Sequence, residues 1–518
     1  MIARALVVIG VLLAALPASA EAVSCTATHW IGAWAASPAH ASQGNEALDF
    51  VDPSLNPKQA LDNQTVRAIL TPTRGGSELR VHLSNRFRTA PATFGHVTVA
   101  RRASGAALIP GTARALTFGG KSSVTVPAGA DIVSDPVPFT FAAFESLAVD
   151  VFVPEDMGKP TEHFTARQTS YLAASGTGDM TGEESGSAFV QSDTSRPFVS
   201  AVDVLAPASA GAVVAFGDSI TDGFQGQPPG VPETPEGIDA DGRYPDDLAR
   251  RLIAARIPLA VLNAGISGNK VLTPAGFVAF GPPALKRLDA DVLALSGATT
   301  VIWLEGINDL GSSDAPTTAQ LTAGWEQGVA RMHAAGLQVL LGTLTPSGGA
   351  TGAQSGYGSA QTEQDRQAAN AWIRAQHVAD GVIDFDAAVR DPADKTHIRP
   401  DYDGSDHLHF NLAGYRAMAE AVPLGQLVVP TCGTLAVRVS RRTIRAGRTT
   451  RLRVAVKNRG RPVSGARVRL RRYGASTGAD GVAVLNVRLS HPGPARLVAT
   501  AAGYPRRVVS IRVRPHAA

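Results

Sequence analysis

The sequence has few cysteines and few long apolar runs. Its 518 residues include only two cysteines, Cys25 and Cys432. Beyond the first twenty residues no segment is apolar for long enough to cross a bilayer. We therefore do not expect a disulfide scaffold or a transmembrane segment, and a chain of this length should fold as about three domains.

The first twenty residues have the pattern of an export signal. Arg4 supplies a positive start, residues 5–17 are apolar, and residues 18–20 are small enough for cleavage. We expect residues 1–20 to be a signal peptide and the mature protein to be secreted. In an oxidising compartment Cys25 and Cys432 are expected to form a disulfide, with two free thiols as the alternative.

Acidic residues are nearly absent from the C-terminal part of the chain. Residues 433–518 hold 20 Lys and Arg residues against one acidic residue, Asp480, whereas the remainder is net acidic. This charge predicts an anionic cell-wall polymer or an acidic polysaccharide as partner, or else a soluble basic spacer. Nucleic acid is not expected for an exported protein, because charge alone carries no sequence specificity.

The same C-terminal residues alternate apolar residues with arginine, which is typical of half-buried strands. We predict an immunoglobulin-like β-sandwich over residues 433–518, with at most seven short strands. The predicted runs are residues 435–440, 451–457, 466–471, 482–489, 496–501 and 507–513.

Helical periodicity is missing between residues 63 and 206. Short β-branched or alternating runs, separated by turns such as Gly75-Gly76, predict a β-sandwich or jelly-roll-like module there. The runs are residues 65–70, 78–84, 95–100, 122–127, 136–141 and 147–153. Residues 21–62 are predicted to be a segment that packs on a larger domain. The β-rich module is expected to brace its neighbour or to bind carbohydrate.

Residues 207–430 alternate apolar runs with amphipathic segments, which predicts a parallel sheet with helices on both faces. The predicted strands are residues 213–216, 260–262, 300–304, 338–344 and 382–385. The predicted helices are residues 244–256, 325–334, 362–378 and 412–422. Two polar, glycine-rich loops lie between them, at residues 225–243 and 347–359, and we expect the first to form a rim over a site.

A serine follows the first of these strands, in Gly217-Asp218-Ser219. Ligands bind open α/β sheets at the carboxyl ends of the strands, where the next helix begins. Ser219 is therefore a candidate nucleophile, and a helix-capping turn serine is the alternative. A nucleophilic serine needs a base and a third group that orients the base.

Asp406 and His409 are three residues apart before a predicted helix, so one turn can direct both side chains to one place. We favour His409 over His407 as the base, because residues adjacent in sequence, such as Asp406 and His407, usually point apart. Asp394 and His397 have the same spacing but precede no helix.

Acyl transfer also needs donors directed at an oxyanion. Gly268 follows the second predicted strand, and its backbone N–H can approach a substrate closely. Asn308 follows the third strand and can supply a side-chain N–H. Both residues are expected at the same edge of the sheet as Ser219.

Gly217-Asp218-Ser219, Gly268, Gly306-x-Asn308-Asp309 and Asp406-x-x-His409 resemble the SGNH (GDSL) hydrolase superfamily, in order and context, over about residues 211–424. The resemblance implies a flavodoxin-like three-layer α/β/α hydrolase domain. It implies Ser219 as nucleophile, His409 as base, Asp406 as its orienting group, and the N–H groups of Ser219, Gly268 and Asn308 as the oxyanion hole. Residues 304–310 and 403–409 are similar to the secreted arylesterase/acylhydrolase branch related to xylanase-associated esterases.

The function expected from this resemblance is a secreted serine esterase that acts on short acyl esters of the acetyl type, including those on polysaccharide. A lipid acylhydrolase is one alternative, and a non-catalytic carbohydrate- or surface-binding protein on the same scaffold is the other. Neither a metal nor a cofactor is predicted. Asp406, His407 and His409 cluster, but the implied triad accounts for two of them, and no second ligand pair with suitable spacing and no nucleotide-type phosphate loop is present.

Overall fold

The structure, a computed structural model, describes residues 28–41, 60–226, 237–350, 356–430, 435–458, 461–501 and 504–515. The chain divides into two compact units, residues 27–431 and a second unit whose described part is residues 435–515. Cys25 and Cys432 lie outside the described residues, so their pairing stays a prediction. None of the described helices is long and apolar enough to span a membrane.

The first part of the larger unit is built from strands. They are β1 (Thr28–Ala35), β2 (Ala39–His40), β3 (Gln64–Leu70), β4 (Gly76–Ser84), β5 (Ala92–Phe94), β6 (His96–Ser104), β7 (Ala107–Leu108), β8 (Arg114–Ala115), β9 (Val124–Val126), β10 (Asp131–Val133), β11 (Val137–Phe141), β12 (Leu147–Val153), β13 (Thr161–His163), β14 (Ser170–Leu172), β15 (Gln191–Asp193), β16 (Arg196–Pro197) and β17 (Val199–Pro207). No helix lies among the residues described between 60 and 207.

Two antiparallel sheets of this module share one apolar core. The five-stranded sheet runs β1-β17-β4-β10 with β11 beside β4, and the seven-stranded sheet runs β15-β14-β3-β12-β6-β7 with β8 beside β6. Val81 and Val204 of the first sheet and Val66 and Val149 of the second lie in the same buried cluster. Smaller pairings join β16-β13-β2 and β5-β9.

A parallel sheet follows in the chain. Its strands are β18 (Gly211–Gly217), β19 (Leu259–Gly265), β20 (Ala298–Leu304), β21 (Gln338–Gly342) and β22 (Gly381–Ile383). Their order is β19-β18-β20-β21-β22, so the first strand lies between the second and the third. This 2-1-3-4-5 order is the flavodoxin-like one, and it places the switch point, where ligands bind, beside the carboxyl end of β18.

The helices are α1 (Ser219–Asp222), α2 (Tyr244–Ala254), α3 (Ala284–Leu288), α4 (Ile307–Leu310), α5 (Thr318–Ala334), α6 (Ala360–Ala375), α7 (Phe385–Val389) and α8 (Leu412–Ala421). Helix α8 contacts both α2 and α7. Helix α3 contacts α5, α5 contacts α6, and α6 contacts α4. Helix α5 begins seven residues before the predicted start, because Thr317 and Gln320 form a capping box that fixes its first turn.

The β-rich module covers an edge of the parallel sheet. Strand β19 is an edge strand, and β1 packs against it. The Thr73 hydroxyl accepts a hydrogen bond from the Val261 N–H (3.0 Å) and donates one to the Val261 carbonyl (2.9 Å). These bonds satisfy backbone groups that an edge strand otherwise leaves unpaired.

The second unit has nine strands in its described residues, so the prediction of at most seven was wrong. They are β23 (Ala436–Val439), β24 (Thr443–Arg445), β25 (Thr450–Asn458), β26 (Arg461–Pro462), β27 (Arg467–Leu470), β28 (Tyr473–Ser476), β29 (Val482–Val487), β30 (Gly493–Ala501) and β31 (Tyr504–Arg514). The missed strands β24, β26 and β28 have two to four residues, too few for a clear alternation. Two sheets, β23-β25-β26 with β29 beside β25 and β24-β31-β30-β27-β28, enclose a common apolar core.

Candidate active site

Ser219 is the first residue of helix α1, just after the buried strand β18. The Asp218 side chain caps this short helix by accepting the Ile220 N–H at 3.0 Å. Ser219 is the first helical residue, so its own N–H has no partner within the helix and is directed outward. Capping is therefore the role of Asp218, and the Ser219 hydroxyl is left for another partner.

That partner is His409, whose Nε2 lies 2.8 Å from Ser219 Oγ. The other ring nitrogen, Nδ1, lies 2.6 Å from Asp406 Oδ2. Asp406 also accepts the backbone N–H groups of Leu408 and His409. Burial opposes ionisation of Asp406, but the His409 ring and these N–H groups outweigh it and hold the pKa of Asp406 well below its usual value.

The turn before α8 selects His409 from its neighbours. Ser405 and His407 adopt positive φ angles of 84° and 62°, uncommon for residues other than glycine. This backbone directs Asp406 and His409 to the same side, while His407 bonds Asp403 and is exposed. His397 Nδ1 lies 3.0 Å from Asp394 Oδ2 in an exposed histidine–aspartate pair. Neither alternative histidine is hydrogen-bonded to Ser219.

Gly268 and Asn308 reach the same cavity as Ser219. Gly268 has φ of 76°, and a Cβ there would lie 2.5 Å from the Phe280 ring, so only glycine fits. Asn308 donates one Nδ2 hydrogen to the Asn269 carbonyl at 2.9 Å and accepts the Tyr357 hydroxyl on Oδ1 at 2.9 Å. These two bonds fix the amide and leave its second Nδ2 hydrogen for a ligand.

Arg287 joins the strand ends beneath the site. Its buried guanidinium donates to the Gly217 carbonyl (2.7 Å), the Ala264 carbonyl (2.8 Å) and Asn269 Oδ1 (2.8 Å). These acceptors belong to β18, to β19 and to the loop that carries Gly268. One side chain thus fixes the strand that precedes Ser219 relative to the loop that carries Gly268.

Asp222, at the end of α1, forms a second buried link. Its carboxylate accepts hydrogen bonds from His163 Nε2 (2.9 Å), from Thr165 Oγ1, and from both the N–H (3.1 Å) and the hydroxyl (2.7 Å) of Ser267. His163 Nδ1 lies 2.8 Å from the Ser37 carbonyl. Because both ring nitrogens face acceptors, both must carry a proton, and His163 forms a buried ion pair with Asp222. Burial works against the ionised carboxylate, but His163 and the hydroxyl donors lower the pKa of Asp222.

These polar groups open onto a cavity of about 450 Å³, a volume typical of small-ligand sites. One part of its wall is apolar, with Phe224, Phe277, Phe280 and Leu408. Another part is polar and includes Lys270, Ser312, Ser313, Asp314 and Tyr357. The Phe224 ring meets the His409 ring edge-on, with centroids 4.8 Å apart, and so packs the imidazole in place.

Buried carboxylates lie behind the cavity. Burial raises the pKa of Glu305 to about 7, although Arg287 and the Trp303 N–H oppose the shift. Burial raises the pKa of Asp309 to about 6, against the N–H groups of Val271 and Leu272 that it accepts. The pKa of Asp218 is raised as well, by burial and then by the nearby Glu305. Burial therefore raises the pKa of all three carboxyl groups beneath Ser219 above the ordinary value.

The structure brings together all five residues that the sequence singled out: Ser219, Gly268, Asn308, Asp406 and His409. It adds Arg287, Asp222 and His163, which carry no local sequence signal because their partners are distant in the chain. It also adds Tyr357, from the loop predicted at residues 347–359. In the other predicted loop, residues 227–236 lie outside the described residues, and Gly226 packs so closely on Asp406 that a Cβ would collide with the carboxylate.

Residues 215–417 match the model of the GDSL-like Lipase/Acylhydrolase family. Similar solved structures include the aryl esterase of M. smegmatis, at 19% identity over 41% of this chain and 96% of that chain, with a TM-score of 0.33. Est24, a carbohydrate acetylesterase from Sinorhizobium meliloti, is 16% identical over 41% and 95% of the two chains, with a TM-score of 0.32. The lipase/acylhydrolase from Enterococcus faecalis is 23% identical over 42% and 98%, with a TM-score of 0.31. No curated protein sequence matches the chain significantly.

Proposed function

We propose that the GDSL-like lipase/acylhydrolase domain at residues 215–417, the domain of a carboxylic ester hydrolase, works through a triad of Ser219, His409 and Asp406. The observation that carries this proposal is the 2.8 Å contact between Ser219 Oγ and His409 Nε2. The Asp406 carboxylate, on the far side of the ring, holds the tautomer whose Nε2 is free to accept a proton.

In the first half-reaction Ser219 Oγ attacks the ester carbonyl while its proton moves to His409 Nε2. The imidazolium that forms is stabilised by the ionised Asp406. Negative charge on the former carbonyl oxygen is accepted by the N–H groups of Ser219 and Gly268 and by Asn308 Nδ2. The tetrahedral intermediate then collapses: the ester C–O bond breaks, His409 protonates the departing alkoxide, and an acyl-Ser219 remains.

In the second half-reaction water takes the place of the alcohol. His409 Nε2 accepts a proton from the water, whose oxygen attacks the acyl carbonyl, and the same donors hold the second oxyanion. Collapse of this intermediate releases the carboxylic acid and returns the proton to Ser219 Oγ.

We propose short acyl groups, of the acetyl type, on a polar alcohol such as a polysaccharide. The polar wall formed by Lys270, Ser312, Ser313 and Asp314 supports this choice, because hydroxyl, ammonium and carboxylate groups suit a sugar. The aromatic wall formed by Phe224, Phe277 and Phe280 favours a second candidate, a lipid acylhydrolase, since an acyl chain would pack against such rings.

A fluorophosphonate probe tests the nucleophile. We expect wild-type protein and the Ser313→Ala variant, which alters another serine of the cavity, to be labelled and to hydrolyse aryl acetates. We expect the Ser219→Ala variant to show neither labelling nor hydrolysis beyond about 0.1% of the wild-type rate. A folded Ser219→Ala protein with wild-type activity would contradict the triad and would favour a binding protein on a hydrolase scaffold.

A series of p-nitrophenyl esters with acyl chains of increasing length tests the acyl group. We expect kcat/KM to be highest for the acetyl and propionyl esters and to fall with each longer chain. A maximum at long chains would favour the lipid acylhydrolase and would overturn the short-chain proposal.

We also propose that the protein acts outside the cell, on the strength of the export signal at residues 1–20. N-terminal sequencing of protein from the culture medium should find a mature chain that begins close to residue 21. A full-length chain retained in the cytoplasm would contradict the proposal.

A further inference from the structure

One outer surface of the second unit is rich in arginine. In β30, Leu497 is buried while Arg496 is exposed, and in β31 Ile511 is buried while Arg512 is exposed. Side chains alternate between the two faces of a strand, so these arginines lie on the face of the five-stranded sheet that points away from the core.

The register of the sheet aligns these arginines. Arg496 is opposite Ser510, which makes Arg512 its diagonal neighbour on β31. Arg469 is opposite Val498, which makes it the diagonal neighbour of Arg496 on β27. Diagonal neighbours are about 7–8 Å apart at Cα, within reach of long side chains.

The line continues at both ends. Arg445 of β24 is opposite Arg514 of β31. At the other end, Arg467 lies two residues before Arg469, on the same face of β27. The strand spacings give the line a length of about 30 Å. We call these six exposed residues the arginine track: Arg445, Arg514, Arg512, Arg496, Arg469 and Arg467.

No carboxylate pairs with the track within the described part of the chain. The one acidic residue of residues 433–518, Asp480, lies in the turn before β29, in the other sheet, and accepts the Val482 N–H. Like charges placed side by side on a sheet are destabilising. A sequence that keeps six of them in line therefore suggests a partner whose own charges relieve the repulsion.

We propose that the arginine track binds a linear acidic polysaccharide, a polymer of carboxylate-bearing sugars. Guanidinium groups pair with carboxylates in a planar, two-bond geometry. The outward residues between the arginines include Pro494, Val498, Thr500 and Ser510, so this part of the face lacks the aromatic platforms that stack nucleic-acid bases. Its largest apolar side chains are the paired Val498 and Val508, which are smaller than the Trp, Phe and Leu side chains that enter a membrane surface.

The choice of a saccharide over another polyanion rests on the proposed function. An appended module that holds the polymer on which the esters are carried raises their effective concentration at Ser219. Six arginines in line fit an extended chain with charges along its length, whereas a compact anion would contact only one or two of them.

Binding of full-length Ser219→Ala protein to sodium polygalacturonate tests the proposal, because it needs no hydrolysis and its outcome is separate from that of the esterase assay. The track variant carries Arg469→Gln, Arg496→Gln and Arg512→Gln. The matched control carries Arg438→Gln, Arg451→Gln and Arg453→Gln, which are exposed residues on the outer side of the other sheet. Both variants lose the same charge.

We expect the track variant to bind polygalacturonate about tenfold more weakly at low ionic strength, since several exposed ion pairs that are individually weak are lost together. The control should change by less than about twofold, and a triple Arg→Lys track variant, which keeps the charge, should lie between the two. Wild-type binding should weaken as salt is added. Equal losses in the track and control variants would overturn the proposal, as would tighter binding to polyphosphate or single-stranded DNA, or no binding at low salt.

Discussion

At the scale of single residues, the site depends on which of several chemically similar groups is placed correctly. His407 and His409 differ little in sequence context, but positive φ angles at Ser405 and His407 direct only His409 to Ser219. The sequence predicted this choice, because a three-residue spacing lets one turn present both Asp406 and His409. It could not predict Arg287 or Tyr357, because their contacts connect segments that are distant in the chain.

Glu305 gives a prediction for pH dependence. Its pKa in the folded protein, about 7 against an ordinary 4.5, means that the folded state keeps a proton that the unfolded state has lost. The free energy of unfolding should therefore fall as pH rises from about 4.5 to 7, by at most roughly 3 kcal/mol from this group. In Glu305→Gln that part of the fall should be missing.

Urea unfolding at several pH values, followed by tryptophan fluorescence, measures this effect. All five tryptophans lie in the unit of residues 27–431, so the signal reports on the fold that contains Glu305. Glu326→Gln, at an exposed position on α5, serves as the control and should keep the wild-type slope. An unchanged slope in Glu305→Gln would show that Glu305 is already ionised at neutral pH.

At the scale of elements, the β-rich module does more than cover the edge strand β19. His163, the last residue of β13, and Thr165 both hydrogen-bond Asp222 at the end of α1. Asp222 also accepts the hydroxyl of Ser267, the residue before Gly268. The module thus supports the loop that carries Gly268 through a buried ion pair. The sequence predicted that the module braces its neighbour or binds carbohydrate, but it could not predict this contact.

We expect His163→Gln to lower kcat on aryl acetates by about 10- to 100-fold with little change in KM, because a displaced oxyanion loop affects the transition state more than the ground state. Labelling of Ser219 by the fluorophosphonate probe should persist. His96→Gln, which removes an exposed histidine–aspartate pair elsewhere in the module, should leave both parameters unchanged. A rise in KM alone would assign His163 to substrate binding instead.

At the scale of the whole molecule, the cavity and the excess of basic residues lie in different units, each with its own apolar core. The acidic unit contains the cavity, and the basic unit contains the arginine track. Composition alone predicted that the basic part has its own partner or is a soluble basic spacer. It could not predict a line of charges, because alternation places arginines on the outer faces without saying which strands are neighbours.

The sequence by itself determined the local features along the chain. These are a buried strand before Ser219, the loops with Gly268 and Asn308 after the next two strands, and a turn that pairs Asp406 with His409. Local spacing and turn chemistry are sufficient for such features. Only the tertiary structure decided which distant groups support them. The ion pair of His163 with Asp222, the ties made by Arg287 and the register of the arginine track all join residues far apart in sequence, and such contacts arise from packing rather than from local preference.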